Sequence, residues 1–92
     1  MAIGVIWNPP IDAQTYDAVR ERVFQAGIEK GLKFHAAGAA GGGWRVVEIW
    51  ESREALERFK SEDLARAFNE VSGAQGEPPE PETVFEVHYQ GP

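Results

Sequence analysis

The sequence predicts an α+β fold in which four short strands form one antiparallel sheet and helices cover one of its faces, in the order β-α-β-β-α-β. Three observations support this. Four runs of strand length, AIGVIW, LKFHAAG, WRVVEIW and TVFEVHY, recur along the chain. Between the first and second, and again between the third and fourth, apolar residues recur at helical spacing. The connection between the second and third is the glycine run GAAGGG, which suits a hairpin.

Taken in order, AIGVIW (2–7) is an apolar strand stopped by Asn8-Pro9-Pro10. Asp12 is placed to cap a helix whose buried stripe is Tyr16, Val19, Val23 and Ala26. Arg20, Glu21 and Arg22 lie away from that stripe. Gly27 is expected to stop the helix and Gly31 to close a short connection. The second strand spans 32–38, with Leu32, Phe34 and Ala36 on one parity and Lys33, His35 and Ala37 on the other. Residues 38–43 form a loose hairpin connection into the third strand, 44–50. Ser52 caps the next helix, and Glu54 sits in its first turn, where the helix dipole favours an anion. Ser61-Glu62-Asp63 reads as a second cap, so a short helix near 53–60 is expected to kink into a longer piece near 62–71. Its buried stripe is Leu56, Phe59, Leu64, Phe68 and Val71. Residues 72–82 are a Pro-, Gly- and Glu-rich linker, 83–89 the last strand, and Gln90-Gly91-Pro92 a frayed end.

This element order is the split arrangement of ferredoxin-like folds, with strand order 4-1-3-2. In such a fold one sheet face is left open, yet WRVVEIW has no polar face. Trp44, Val46, Glu48 and Trp50 share one parity, and Arg45, Val47 and Ile49 the other. A second copy packed sheet to sheet would cover that surface. With 92 residues and no cysteine, the chain is expected to form one small domain (1–92) whose thin core gains from association rather than from disulfides.

The formal charge is −6, from 15 acidic and 9 basic residues, and the basic residues are scattered. No phosphate-tracking stripe results, so neither nucleic acid nor an anionic membrane is an expected partner. The N-terminal MAIGVIWNPP lacks a basic start, and no segment approaches the roughly 20 apolar residues that cross a bilayer. A cytoplasmic protein is expected.

The stretch VVEIWESREALERFKSEDLARAF resembles the third strand and second helix of the antibiotic-biosynthesis-monooxygenase-like proteins, a branch of the dimeric α+β barrel superfamily. Glu48, Trp50, Ser52, Ala55, Leu56 and Ser61 match its local pattern. The resemblance implies a homodimer with two packed sheets and a ligand pocket between sheet and helices in each subunit. It also implies one of several activities, among them cofactor-independent oxidation of phenols and quinols, and haem degradation. For the haem-degrading group it places Asn8 and Trp50 in two of the three site positions. The third, a helix histidine, is absent, because Phe59 and Lys60 stand there.

The candidate site residues follow from their chemistry. His35 lies beside the small Ala36, Ala37 and Gly38, which leave room for a ligand, and imidazole is the natural acceptor of a phenolic proton. The plainer alternative is a part-exposed histidine near a hairpin. Glu48, between Val46 and Trp50, either lines a cavity as an acid or orienting group or is held in a salt bridge, with Arg45 or with a partner subunit. Asn8 would donate to a developing oxyanion. Trp7, Trp44, Trp50 and Phe59 would wall a flat aromatic ligand, and core packing is the simpler role for any one of them. His35 and His88 fall on opposite edge strands, about 14 Å apart at ~4.8 Å per strand, so no metal is expected, and no cofactor. The expected function is a homodimeric, monooxygenase-like protein that binds or oxidises a flat phenol- or quinol-type molecule. A non-catalytic binding dimer and a cyclase or isomerase are the alternatives.

Overall fold

The computed structural model describes residues 1–73 and 79–92, and residues 74–78 of the expected linker lie outside the described residues. The elements are β1 (Ile3–Trp7), α1 (Ala13–Lys30), β2 (Leu32–Ala40), β3 (Gly43–Trp50), α2 (Arg53–Phe59), a π turn (Lys60–Leu64), α3 (Ala65–Ser72) and β4 (Thr83–Glu86). The strands form one antiparallel sheet in the order β2-β3-β1-β4. This is the ferredoxin-like arrangement expected from the sequence.

The sheet has two distinct faces because side chains alternate along each strand. Ile3, Val5 and Trp7 of β1 and Val46, Glu48 and Trp50 of β3 are buried on the helix side. Val19 and Val23 of α1, Ala55, Leu56 and Phe59 of α2, and Ala67 of α3 close the core from above. Each large apolar side chain so buried contributes roughly 1.5–3 kcal/mol.

Local chemistry sets the ends of the elements. Asp12 accepts from the Thr15 amide at 2.8 Å and starts α1. The helix runs through Gly27, which is buried inside it, and stops at Gly31, whose φ of 122° is open to glycine alone among common residues. Gly27 is therefore not the stop that its position suggested. It packs against the core, where a Cβ would meet Leu32 and Phe59 at 3.5 Å and Trp50 at 3.8 Å, ordinary contact distances. The hairpin is tighter than expected: β2 extends to Ala40, and Gly41 and Gly42, both at positive φ, make a two-residue turn. β4 is shorter than expected and ends at Glu86, so His88 and Tyr89 are exposed beyond it.

The kink expected in the second helix is a π turn, and its cause is readable. Leu56, Phe59, Leu64, Phe68 and Val71 stand at offsets 0, 3, 8, 12 and 15. On an uninterrupted α-helix those offsets spread over about 180°. A π turn absorbs one extra residue and resets them to 0, 3, 7, 11 and 14, a stripe about 80° wide. Ser61 does not cap a new helix. Its hydroxyl donates back to the Glu57 and Arg58 carbonyls at 3.1 and 3.3 Å. Asp63, within the turn, takes the Lys30 ammonium at 2.7 Å and so ties the end of α1 to this segment. That hydrogen bond is the main cause holding the Lys30 pKa above its ordinary value.

Deleting Ser61 should leave the stripe in ordinary α register, keeping the fold within about 1 kcal/mol of wild type. Deleting Asn69 should instead rotate Val71 off the core and cost about 1–2 kcal/mol. Urea denaturation of the two variants distinguishes them, and equal losses would contradict this account of the π turn.

Candidate functional site

A carboxylate on the buried face of a sheet must be surrounded by donors, because desolvating it alone costs several kcal/mol. Strand register determines which donors reach Glu48. Val5 and His35 are its direct cross-strand partners on β1 and β2, Trp50 follows two residues on, and Trp7 pairs with Val46 one diagonal step away. Glu48 is only 6% exposed. Its Oε1 accepts the indole N–H of Trp7 and that of Trp50, each at 2.9 Å. Its Oε2 lies 2.8 Å from Nδ1 of His35. The other ring nitrogen of His35, Nε2, is hydrogen-bonded to the hydroxyl of Tyr16 on α1.

The network assigns the protons. Indole N–H groups only donate, so Oε1 is fully engaged as an acceptor. With Nδ1–H donating to the carboxylate, a neutral His35 presents Nε2 as the acceptor for the Tyr16 O–H. The result is a Tyr16–His35–Glu48 chain joining helix to sheet, with two tryptophans holding the carboxylate in place. Burial pushes the Tyr16 phenol above its ordinary pKa of 10.0, nearby Glu48 and Asp17 add to that effect, and Arg20 opposes it.

The register that makes this possible depends on a bulge. Leu32 pairs with Trp50 but Phe34 pairs with Ile49, so β2 carries one extra residue, Lys33, between them. Were the strand regular from Leu32 onward, Lys33 would pair with Ile49, Phe34 would lie opposite Glu48, and His35 would turn to the outer face.

Tyr16 and His35 line a cavity of about 90 Å³ between sheet and helices, walled mainly by apolar side chains. Trp7, Val46 and Glu48 form its floor on the sheet, and Val19, Phe59, Leu64 and Phe68 its helical wall. The expected residues are thus distributed unevenly. His35, Glu48, Trp7 and Phe59 come together at the cavity. Trp50 is fully buried behind it, its indole on Glu48 and its ring 4.9 Å from that of Phe59. Trp44 packs on Tyr16 at 5.3 Å, outside the cavity lining.

Asn8 is not brought to the cavity. It is exposed, donates to Glu82 and accepts from Arg45 at 3.0 Å. Arg45, one of the two partners that the salt-bridge alternative offered, therefore does not pair with Glu48, because it lies on the opposite parity of β3. Two residues gain a place that their sequence positions did not suggest. Tyr16 was expected only as a stripe residue, although a hydroxyl on an apolar stripe was the available signal. Arg20 was expected to lie away from the buried face, yet it lines the cavity one turn from Tyr16.

Among the described residues, no group of three His, Cys, Asp or Glu side chains is placed to hold a metal. A haem does not fit either. The volume is far too small, and the α2 position of a helix histidine is held by Phe59, packed against Trp50. No helix among the described residues is long and apolar enough to cross a membrane.

No protein-family model and no curated protein matches the chain in sequence. Solved structures match it in fold. A dimeric ferredoxin-like protein of unknown function from Thermobifida fusca superposes with a TM-score of 0.58 at 17% identity, over 95% of this chain and 92% of that one. A Chloroflexus aurantiacus protein, provisionally described as an antibiotic biosynthesis monooxygenase, gives 0.58 at 14% identity, over 99% and 98%. A conserved protein from Methanosarcina mazei gives 0.55 at 15% identity, over 92% and 91%. The chain is therefore a ferredoxin-like α+β protein, and the fold agrees with the resemblance that the third strand and second helix carry.

Replacing Glu48 by Ala should strand two indole N–H groups and the imidazole N–H, destabilising the protein by about 3–5 kcal/mol. Glu48→Gln keeps an acceptor for the indoles and should lose roughly half as much. Urea denaturation measures both, and a neutral Glu48→Ala would show that the network does not support the fold.

Because the folded state holds the Tyr16 proton more tightly than the unfolded chain does, stability should fall as pH rises above 10. Tyr16→Phe should flatten that decline in a series of melting temperatures against pH. An unchanged slope would separate Tyr16 from the alkaline transition.

Proposed function

We propose that the chain is a homodimeric, monooxygenase-like protein whose cavity takes a small phenol or quinol and removes its proton through the Tyr16–His35–Glu48 chain. The observation that carries this reading is the hydrogen-bonded chain itself, which ends in a hydroxyl and an imidazole on the wall of an apolar cavity. Tyr16 takes the ligand's proton as its own passes to Nε2 of His35, and Glu48 stabilises the imidazolium that forms. Dioxygen then takes electrons from the resulting phenolate at a ring carbon, forming a C–O bond and, with the proton returned from the His35 imidazolium, a hydroperoxide. Loss of that carbon's C–H proton to His35 breaks the O–O bond, so that one oxygen stays in the product as a quinone carbonyl and the other, taking up that proton, leaves as water.

The cavity favours a one-ring ligand over a polycycle, since even benzene occupies a cavity of about 150 Å³ and this one measures about 90 Å³. A single ring enters with modest displacement of the walls. The small volume also favours a second reading, a binding module without turnover. A cyclase or isomerase would use the same proton chain without oxygen.

Dimerisation is supported by the outer sheet face. Ile6, Phe34, Val47, Ile49 and Phe85 lie on the parity opposite the core, and Phe34 and Phe85 are each 47% exposed. The end of the Phe85 ring covers Gly4, where a Cβ would come within 2.2 Å of it. Such a surface suits a second copy packed sheet to sheet, as in the dimeric relative from Thermobifida fusca.

Light scattering should therefore give twice the 10.2 kDa chain mass, and Val47→Glu should give the monomer. A wild-type monomer would contradict the sheet-to-sheet arrangement.

Hydroquinone and other one-ring phenols should quench tryptophan fluorescence saturably and draw down dissolved oxygen. His35→Ala should slow that uptake about 100-fold or more while leaving the dimer intact. Quenching without oxygen uptake would leave binding or redox-neutral catalysis, and no quenching by any phenol would remove the site.

A further inference from the structure

Among the described residues, the cavity lining holds one arginine and no lysine. Arg20 lines it from α1, one helical turn beyond Tyr16, and the remaining charged or ionisable groups of the lining are Glu48, His35 and Tyr16. Among the described residues Arg20 has no salt bridge and no hydrogen-bond partner. Its neighbours on the same helix differ, since Arg22 pairs with Glu70 at 3.4 Å and Lys30 with Asp63 at 2.7 Å. A guanidinium presents five donors in a rigid fork that fits a carboxylate in two parallel hydrogen bonds. An exposed arginine with nothing to bind is unremarkable on an open helix face. Here it stands at the rim of an apolar cavity, beside the hydroxyl that ends a proton chain.

We propose that Arg20 makes the cavity selective for an anionic ligand, a one-ring aromatic monocarboxylate whose ring enters the apolar cavity while its carboxylate stays at the rim on Arg20. This inference rests on the cavity reading above and adds the charge class of the ligand to it. Positions i and i+4 of a helix lie about 6 Å apart, so the same ligand can hold its acidic hydroxyl toward Tyr16 and its carboxylate on Arg20. Such a ligand also reconciles the cavity's size with an aromatic ring, because its polar end remains outside the enclosed volume. The preference runs against the long-range field, since the chain carries a formal charge of −6 and repels anions in general. Any selectivity for an anion must therefore come from a local cation. Asp17 and Glu48 are the acidic groups close enough to Tyr16 to act on its ionisation, and both work against the anion, leaving Arg20 to outweigh them.

The test is isothermal titration calorimetry with 4-hydroxybenzoate and its neutral isostere 4-hydroxybenzamide, on the wild type, Arg20→Gln and Arg20→Lys. Wild type should bind the acid at least tenfold more tightly than the amide, with the advantage shrinking as salt is added. Arg20→Gln should erase the difference while leaving amide affinity and melting temperature unchanged, and Arg20→Lys should keep part of it. Equal binding of acid and amide by the wild type would overturn the role of Arg20 and leave the cavity reading standing. A preference that survives in Arg20→Gln would do the same. If neither compound binds any of the three proteins, the cavity reading fails, and this inference fails with it.

Discussion

A single carboxylate in the wrong place by ordinary patterning organises this molecule. Glu48 sits in the middle of the sheet's buried face, where a charge without partners is among the most expensive features a small core can hold. Its partners come from β1, β2 and β3 at once: Trp7 across one strand boundary, His35 across the other, and Trp50 two residues along its own strand. Those bonds fix the register of three strands at one point. A one-residue slip of β1 or β2 would turn Trp7 or His35 to the opposite face and leave the carboxylate short of donors. Tyr16 extends the same network to α1, so the packing of helix on sheet is held at a polar contact as well as by apolar area.

The cavity is the space left beside this network. Its floor is set by the carboxylate's partners and its roof by the π turn, which brings Phe59, Leu64 and Phe68 onto one stripe. A polar chain that ends in a hydroxyl against apolar walls is the arrangement in which a proton can be moved with little competing water. The opposite face of the sheet carries none of this chemistry; beside Arg45 and Thr83 it presents Ile6, Phe34, Val47, Ile49 and Phe85, which a second copy would cover.

Much of this was legible in the sequence. The element order, both N-caps, the helical stripes and the two-sided apolarity of WRVVEIW all follow from periodicity and turn residues, and Glu48 stood out because it interrupted an apolar parity. The rest depended on single-residue insertions that no local pattern reports. The bulge at Lys33 decides that His35 rather than Phe34 faces Glu48, yet either register gives β2 a plausible alternation. The π turn looked like a second cap because Ser61-Glu62-Asp63 carries cap residues, and only the summed stripe shows that one residue must be absorbed. Gly27 and Gly31 compete as helix stops on propensity alone, and in the structure Gly27 keeps helical backbone while Gly31 takes the positive φ. Asn8, placed by its position after β1, is drawn outward by Arg45 and Glu82, which lie far from it in sequence. Tyr16 was legible as core but not as chemistry, since a stripe position does not reveal what its hydroxyl meets.

The most direct test of the account is the protonation geometry of His35, read by nitrogen-15 NMR of the imidazole in the ligand-free protein. Carboxylate acceptance by Glu48 requires the neutral ring to carry its proton on Nδ1, with that proton shifted downfield and slow to exchange, and requires Nε2 to be the unprotonated acceptor of Tyr16. Finding the Nε2–H tautomer, or a rapidly averaging mixture of the two, would mean that Glu48 does not orient His35, and the proton chain would lose its central link.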